Sequence, residues 1–383
     1  MRIAFIASNR SSANGGSEEL WAKAAIYALN QRHEVICSVY NWETKHYLHE
    51  ELKSKGAKIL YRPRRSVDQG VLKRAFLKFR DITRSKLIGP HHEFRKLLKL
   101  KPDLICLSQG SSYDHAYHRD YEYLFEKYDR DYYILMHSYQ SNIILRQERK
   151  LRSQKILTKA KTVFYVAEKQ LEAIEQQLNI KLDNSKLVFN PLNINSFKCL
   201  PFLKSECLKM VMIGNLTIRW KGHDLLLDAL NSVFWKSDNW QLDIYGNGED
   251  EELIKNTIKT YSLENKIRLR GLDRNIERIF LGAHILLMPS RIEAAPLTVQ
   301  EAMLCGRPVL TTDVGDMRSY YKDGVSGFLA ESTSVNSIRS ALNKMWKNKG
   351  RLEGMGQIAF EQAKAKFPEQ PEKDFLKEMI NAE

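Results

Sequence analysis

Ser290-Arg291-Ile292-Glu293-Ala294-Ala295-Pro296-Leu297-Thr298-Val299-Gln300-Glu301-Ala302-Met303-Leu304-Cys305-Gly306-Arg307-Pro308 decides how the rest of the chain is read. The apolar run before it, Ala283-His284-Ile285-Leu286-Leu287-Met288, reads as a buried strand that Pro289 and Ser290 stop. A helix opens near Pro296, because proline's fixed φ and missing N–H suit an early helical position. Gly306 closes that helix, and Pro308 leads into a further strand, Val309-Leu310-Thr311. Glu293 and Glu301, with seven residues between them, thus sit on one strand–loop–helix turn. The first is in the loop and the second on the helix. Ligands of open α/β sheets bind at this end of the strands. The first helical N–H groups, at Leu297 and Thr298, have no partner within the helix and would face an anion there.

The same alternation extends upstream. Strands are expected over 2–7, 33–40, 104–108, 132–136 and 162–166, with helices over 18–29, 148–158 and 168–178. A second series begins at Lys209, with strands over 210–213, 241–245, 267–269 and 284–288 and helices over 224–233, 249–261 and 275–281. Strands that alternate with helices pair in parallel through crossovers. The expected fold class is therefore α/β, with two Rossmann-like lobes facing a central cleft. Asn190-Pro191-Leu192-Asn193 is turn-forming and reads as the hinge between them.

At 383 residues, two domains of ordinary size are favoured over one, and a hydrophobic content of 43% suffices for their cores. No apolar run is long enough to span a bilayer. The opening Met1-Arg2-Ile3-Ala4-Phe5-Ile6 flows into a Gly-rich loop, so it reads as a first strand rather than a secretory signal. The five cysteines are scattered without a C-x-x-C pair, which points to reduced thiols in a cytoplasmic setting. The net charge of +14 is uneven: over 52–101, sixteen Lys/Arg face three acids. Leu72, Ala75, Phe76, Phe79 and Ile82 recur among them at helical spacing. Such a basic amphipathic helix suits an anionic membrane surface, or else packs its apolar stripe on its own domain. Helix-turn-helix, zinc-finger and RNA-recognition signatures are lacking, so no nucleic-acid partner is expected.

No metal is expected either. His91, His92, His115 and His118 lack carboxylate or cysteine partners at ligand spacing. Asp129-Arg130-Asp131 precedes a strand, at the wrong end for a nucleotide, and reads as a surface turn. Gly246-Asn247-Gly248 lacks the third glycine of a dinucleotide fingerprint.

Further motifs stand at strand ends. Gly15-Gly16, after the first strand, would let a phosphate approach backbone amides, or would simply make a tight turn. Ser17 is placed to cap the helix behind it. Gly214-Asn215 and then Arg219, Lys221 and Gly222 follow the strand that opens the second series; the cations would neutralise an anion or form a solvated basic loop. His137 stands just past the strand 132–136, where an imidazole hydrogen-bonds a hydroxyl or merely ends the strand. Arg270-Gly271 follow the strand 267–269. Together with Glu293-x7-Glu301 and Gly306-Arg307-Pro308, this set resembles family four of the retaining GT-B glycosyltransferases, the glycosyl transferases group 1. The resemblance is strongest over 209–329 and weak over 41–100.

The resemblance implies a hexosyltransferase-type enzyme that needs no metal or other cofactor. It would move a sugar from a nucleotide-diphosphate sugar to an acceptor hydroxyl with retention, in polysaccharide or glycolipid assembly. Its expected setting is the cytoplasm, peripheral at the inner membrane face. Residues 1–192 would form the acceptor-side domain, with a C-terminal helix of about 367–383 packing back on it, and 193–366 the donor-binding domain. Glu301 would grip the ribose hydroxyls and Glu293 the transferred sugar. Gly15, Gly16, Lys221 and the amides of Leu297 and Thr298 would face the diphosphate, and Arg270 and Gly271 the nucleobase. His137 would lie beside the donor sugar. The family has arginine where Asn215 stands, so Arg219 is expected to supply the missing charge. Ala294 and Pro296 replace glycines of many relatives, and Ala294 would tighten the turn. Two other classes stay open: an epimerase-like enzyme, and a non-catalytic protein that binds a nucleotide-sugar or nucleic acid.

Overall fold

The computed structural model describes residues 1–10, 16–43, 46–63, 91–138 and 143–381. Gly15 and most of the basic amphipathic stretch, 64–90, lie outside them. The chain divides into two compact units, Met1–Pro191 with Gln370–Glu383, and Leu192–Glu369.

In the first unit the strands are β1 (Arg2–Ala7), β2 (Glu34–Tyr40), β3 (Lys58–Arg62), β4 (Leu104–Gln109), β5 (Tyr132–Met136), β6 (Thr162–Tyr165) and β7 (Ser185–Leu187). They lie in the order β3-β2-β1-β4-β5-β6-β7, and every pairing is parallel. Central parallel strands are covered on both faces, which is why β1 reads Ile-Ala-Phe-Ile-Ala and β4 opens Leu-Ile-Cys-Leu, with no polar alternation. Helix Glu19–Asn30 follows β1 and buries Leu20, Trp21, Ala24, Ala25 and Ala28. The tail does return to this unit. Helix Pro371–Ile380 begins on a proline and buries Phe375, Leu376 and Met379. Phe375 meets Phe164 edge-on at 4.9 Å, and the Tyr133 hydroxyl donates to the Met379 carbonyl at 2.8 Å.

The second unit holds β8 (Leu208–Ile213), β9 (Trp240–Tyr245), β10 (Ile267–Gly271), β11 (Ile285–Met288), β12 (Val309–Thr312) and β13 (Gly327–Ala330). Their order is β10-β9-β8-β11-β12-β13, again all parallel. One core fills beneath this sheet, with Leu226, Leu230, Trp235, Trp240, Ile254, Ile258, Ile338 and Leu342 at its centre. In each unit the first strand is flanked by the second on one side and the fourth on the other. Crossovers to opposite faces leave a crevice at the carboxyl ends of that central pair. The pair is β1/β4 in the first unit and β8/β11 in the second.

Several elements differ from the sequence reading. The helix expected over 224–233 is two: His223–Leu230, then Val233–Ser237. The break falls at Ser232, whose hydroxyl accepts from the Trp235 N–H as a cap. Ser17 does not cap the helix behind it; that helix has no side-chain cap, and the Ser17 hydroxyl accepts from Asn9 at 3.2 Å. Strand β3, strand β13 and helices Leu48–Ser54, His92–Lys99, Arg119–Lys127, Val335–Lys347 and Leu352–Lys366 were not expected. Most carry mixed charges or short apolar runs, so tertiary packing rather than local pattern settles them. Among the described residues, no helix is long and apolar enough to cross a membrane.

Candidate functional site

The carboxyl ends of β8 and β11 bring together residues 72 positions apart in the chain. After β8 the backbone passes Gly214, makes the short helix Ile218–Lys221, and turns through Gly222 into helix His223–Leu230. Gly222 has φ +67°, and a Cβ there would fall 2.1 Å from the Pro289 carbonyl oxygen at the end of β11. Only glycine supplies both that φ and that approach. The glycine after Lys221 thus lets the β8 loop touch the β11 loop. Lys221 Nζ then lies 2.5 Å from Glu293 Oε1, and the Ser290 hydroxyl donates to the same oxygen at 2.8 Å. Lys221 is 23% exposed and Glu293 12%, so solvent screens this pair only in part.

A second ion pair fixes the two loops. Arg291 binds Asp224 through both guanidinium nitrogens at 2.7 Å, donates to the Ile218 carbonyl at 2.9 Å, and its backbone N–H donates to the Trp220 carbonyl at 2.8 Å. Neither residue was singled out in the sequence. The available signal was Arg291 lying two positions before Glu293, and Asp224 three after Lys221. The loop after β12 supports the turn from below: a Cβ on Gly315 would stand 2.5 Å from the carbonyl oxygens of Glu293 and Ala294. Ala294 is not among the residues with positive φ, so its methyl imposes no backbone strain where relatives have glycine.

Helix Leu297–Leu304 follows, with Pro296 as its N-cap rather than its first residue. No side chain caps it, which leaves the starting amides of Leu297 and Thr298 without a side-chain acceptor from that position. Glu301 is not on a solvated face. It is 2% exposed, and its Oε1 accepts from the Asn193 backbone N–H at 2.8 Å and from the Asn193 side chain at 3.0 Å. Asn195 is fastened likewise by Glu277, at 3.0 and 2.6 Å. The chain from Asn193 onward therefore belongs to the second unit. Gly306-Arg307-Pro308 is architectural: the fully buried Arg307 donates to the carbonyls of Phe280, Ala283, Leu200, Pro201, Cys305 and Gly306. Gly246 and Gly248 serve close packing, since Cβ atoms there would meet the Gly214 and Leu216 carbonyl oxygens at 1.9 and 2.3 Å.

The other named residues are placed as follows. Asn215 is exposed beside Gly214. Arg219 is exposed too, with its guanidinium 4.1 Å over the Trp220 ring and no ion pair to Glu293. Arg270 is held by Asp243 on the neighbouring strand, at 2.9 and 3.1 Å, just before Gly271 with its φ of +70°. In the first unit, Gly16 opens a short 3-10 turn, Gly16–Glu18. His137 follows β5; its ring nitrogens are buried and meet no hydrogen-bond partner among the described residues. Burial pushes its pKa down to about 3, so the ring is neutral at physiological pH. Asp129-Arg130-Asp131 precedes β5, where Arg130 pairs with Asp103 at 2.5 Å and Asp131 with Lys161 at 3.7 Å. No cluster of three or more potential metal ligands occurs among the described residues.

Comparison with known proteins places this geometry. Residues 202–362, nearly all of the second unit, match the family model of glycosyl transferases group 1. The poly(glycerol-phosphate) alpha-glucosyltransferase of Bacillus subtilis (strain 168) is 28% identical over 204 residues, 52% of this chain and 30% of that protein. The lipopolysaccharide 1,6-galactosyltransferase of Salmonella typhimurium is 23% identical over 171 residues, 43% of this chain and 47% of that protein. The chain thus spans less than half the length of these curated relatives. Among solved structures, HepE of Anabaena in complex with UDP superposes with a TM-score of 0.75 at 16% identity, covering 100% of both chains. A glycosyltransferase of Rickettsia africae superposes at 0.74 with 17% identity, over 99% of this chain and 98% of that one. These likenesses extend the GT-B fold over the full chain. Through its second unit, residues 202–362, the protein resembles the glycosyl transferases group 1 family.

Proposed function

We propose that the protein is a retaining glycosyltransferase that moves a sugar from a nucleotide-diphosphate sugar to an acceptor hydroxyl. One observation carries the reading: Lys221 and Glu293 meet at 2.5 Å across the β8/β11 crevice, beside a helix start that no side chain caps. In this reading Lys221 and the amides of Leu297 and Thr298 bind the diphosphate, with Asn215 and Gly214 alongside. Arg219 swings from Trp220 to add charge on the same anion. Glu293 takes hydroxyls of the transferred sugar, Glu301 those of the ribose, and the Arg270-Gly271 turn borders the base. In the first unit, the Gly15-Gly16 motif suits an anion, and His137, neutral and without a hydrogen-bond partner among the described residues, suits a sugar hydroxyl. The departing phosphate helps deprotonate the incoming hydroxyl, so the protein contributes placement and charge stabilisation rather than a covalent nucleophile. No metal or cofactor takes part.

The solved likeness in complex with UDP supports a nucleoside-diphosphate ligand. The relatives named for poly(glycerol-phosphate) and lipopolysaccharide support an acceptor in polysaccharide or glycolipid assembly. Five free cysteines suit a cytoplasmic setting, and the basic stretch over 52–101 suits peripheral contact with an anionic membrane. A thermal-shift screen of nucleoside diphosphates and their sugars tests the reading. The right ligand at about 100 times its Kd should stabilise by about 2.7 kcal/mol. Nucleoside diphosphate should then be released only when an acceptor is present; release without acceptor, or none at all, overturns transfer.

A further inference from the structure

We infer that Glu293 makes the site prefer a sugar-bearing donor over the spent nucleoside diphosphate, by competing with the terminal phosphate for Lys221. The inference rests on reading Lys221 as a ligand of the diphosphate.

Lys221 already has an ionic partner. Its Nζ is 2.5 Å from Glu293 Oε1, its sole carboxylate partner among the described residues. Gly214 lies along the lysine stem, since a Cβ there would sit 3.5 Å from Lys221 Cε. On the other side, the Ser290 hydroxyl and the Arg291–Asp224 pair hold the Glu293 loop. Any phosphate that reaches Lys221 therefore meets a carboxylate within a few ångström, in a setting that screens charge only in part.

The two ligands differ in what they offer that carboxylate. A hexose on the diphosphate brings hydroxyl donors, so Glu293 exchanges one charge-assisted hydrogen bond for others when Lys221 turns to the phosphate. A nucleoside diphosphate without its sugar brings none. It also carries one more negative charge on its terminal phosphate, facing a carboxylate that has lost its cation. Among the described residues, the Ser290 hydroxyl remains to Glu293. Donor binding is thus a hand-over of Lys221 from Glu293 to phosphate that the sugar makes favourable, and departure of the sugar reverses it. Product release, a slow step in many enzymes, is aided by the same carboxylate that orients the sugar.

Calorimetric titration of the full chain with UDP, ADP and GDP, and with the sugar form of whichever binds, tests this. Glu293→Gln keeps the shape and removes the charge. It should tighten the nucleoside diphosphate about tenfold while leaving the nucleotide-sugar unchanged or weaker. Glu293→Asp keeps the charge and should give no such gain. Thermal unfolding confirms that each variant is folded. Unchanged or weaker diphosphate binding by Glu293→Gln, or an equal gain in Glu293→Asp, overturns the inference alone. If Lys221→Ala binds the diphosphate as well as the parent protein does, the reading of the site falls and the inference with it.

Discussion

Where β1 adjoins β4 in the first unit, the crevice borders the turn that carries Glu18, a buried carboxyl whose pKa desolvation raises to about 7 against the opposing hydrogen bonds of Trp21 and Asn9. Where β8 adjoins β11 in the second, it is lined by a lysine and a glutamate already paired. Strand order and parallel pairing match at these two places. The topology makes a crevice in both, and in the second the charge is a partly exposed Lys221–Glu293 pair that a diphosphate can exchange into. At the first, Glu18 is near its midpoint, while the buried Arg62 donates to the Ala7 carbonyl and Asp114 accepts from the Ser8 hydroxyl and the Gly110 N–H. A doubly wound sheet thus decides where a ligand goes, and the side chains decide which ligand.

The contrast breaks first at Lys221. Lys221→Ala should lower transfer by about 10²–10³-fold, equivalent to about 3–4 kcal/mol of lost charge stabilisation. Unfolding should be nearly unchanged; steady-state kinetics and a melting curve together check it, and turnover within threefold of the parent would end the claim that Lys221 in the second crevice holds the diphosphate. Glu18→Gln tests the first. Below about pH 4.5 this carboxyl is protonated folded and unfolded, and burial exacts nothing; above about pH 7 it is ionised in both, and the whole burial penalty applies. Stability should therefore fall as pH rises between those values. The glutamine variant should escape the loss, gaining about 3 kcal/mol over the parent at pH 8 relative to pH 4. Urea titrations at the two pH values read this, and a gap that does not grow with pH contradicts it.

Smaller effects sharpen the geometry. Gly222→Ala forces a side chain into positive φ against the Pro289 carbonyl, so about 2 kcal/mol should be lost. Gly350→Ala, with nothing within 4 Å of its Cβ, should melt with the parent; equal melting of both variants would mean the loops do not touch. Tyr133→Phe removes the hydroxyl's bond to Met379, and about 1 kcal/mol should go with it. Limited proteolysis should release the C-terminal helix sooner in that variant, and unchanged cleavage would count against the contact.

Much of the second unit was readable in the chain because its strands are short apolar or alternating runs bounded by glycine or proline. Its motifs, too, are local: Lys221-Gly222, and Glu293 with Glu301. The first unit was less so. Strand β3, Lys-Ile-Leu-Tyr-Arg, mixes charge with apolar residues and earns its place by pairing with β2. At the site, local reasoning found Lys221 and both glutamates. It could not find the hold of Glu301 on Asn193, 108 residues away. Nor could it find Arg291 on Asp224, or see that Arg307 binds carbonyls rather than a ligand.

Periodicity, glycine and proline punctuation, and short motifs settled by themselves that this is an α/β chain with a Glu-x7-Glu loop at a strand end, since these are properties of neighbouring residues. Which charges meet was left to the tertiary structure. Ion pairs such as Lys221–Glu293 join loops that only the crossover connections of the sheet bring side by side, and no spacing along the chain encodes that distance.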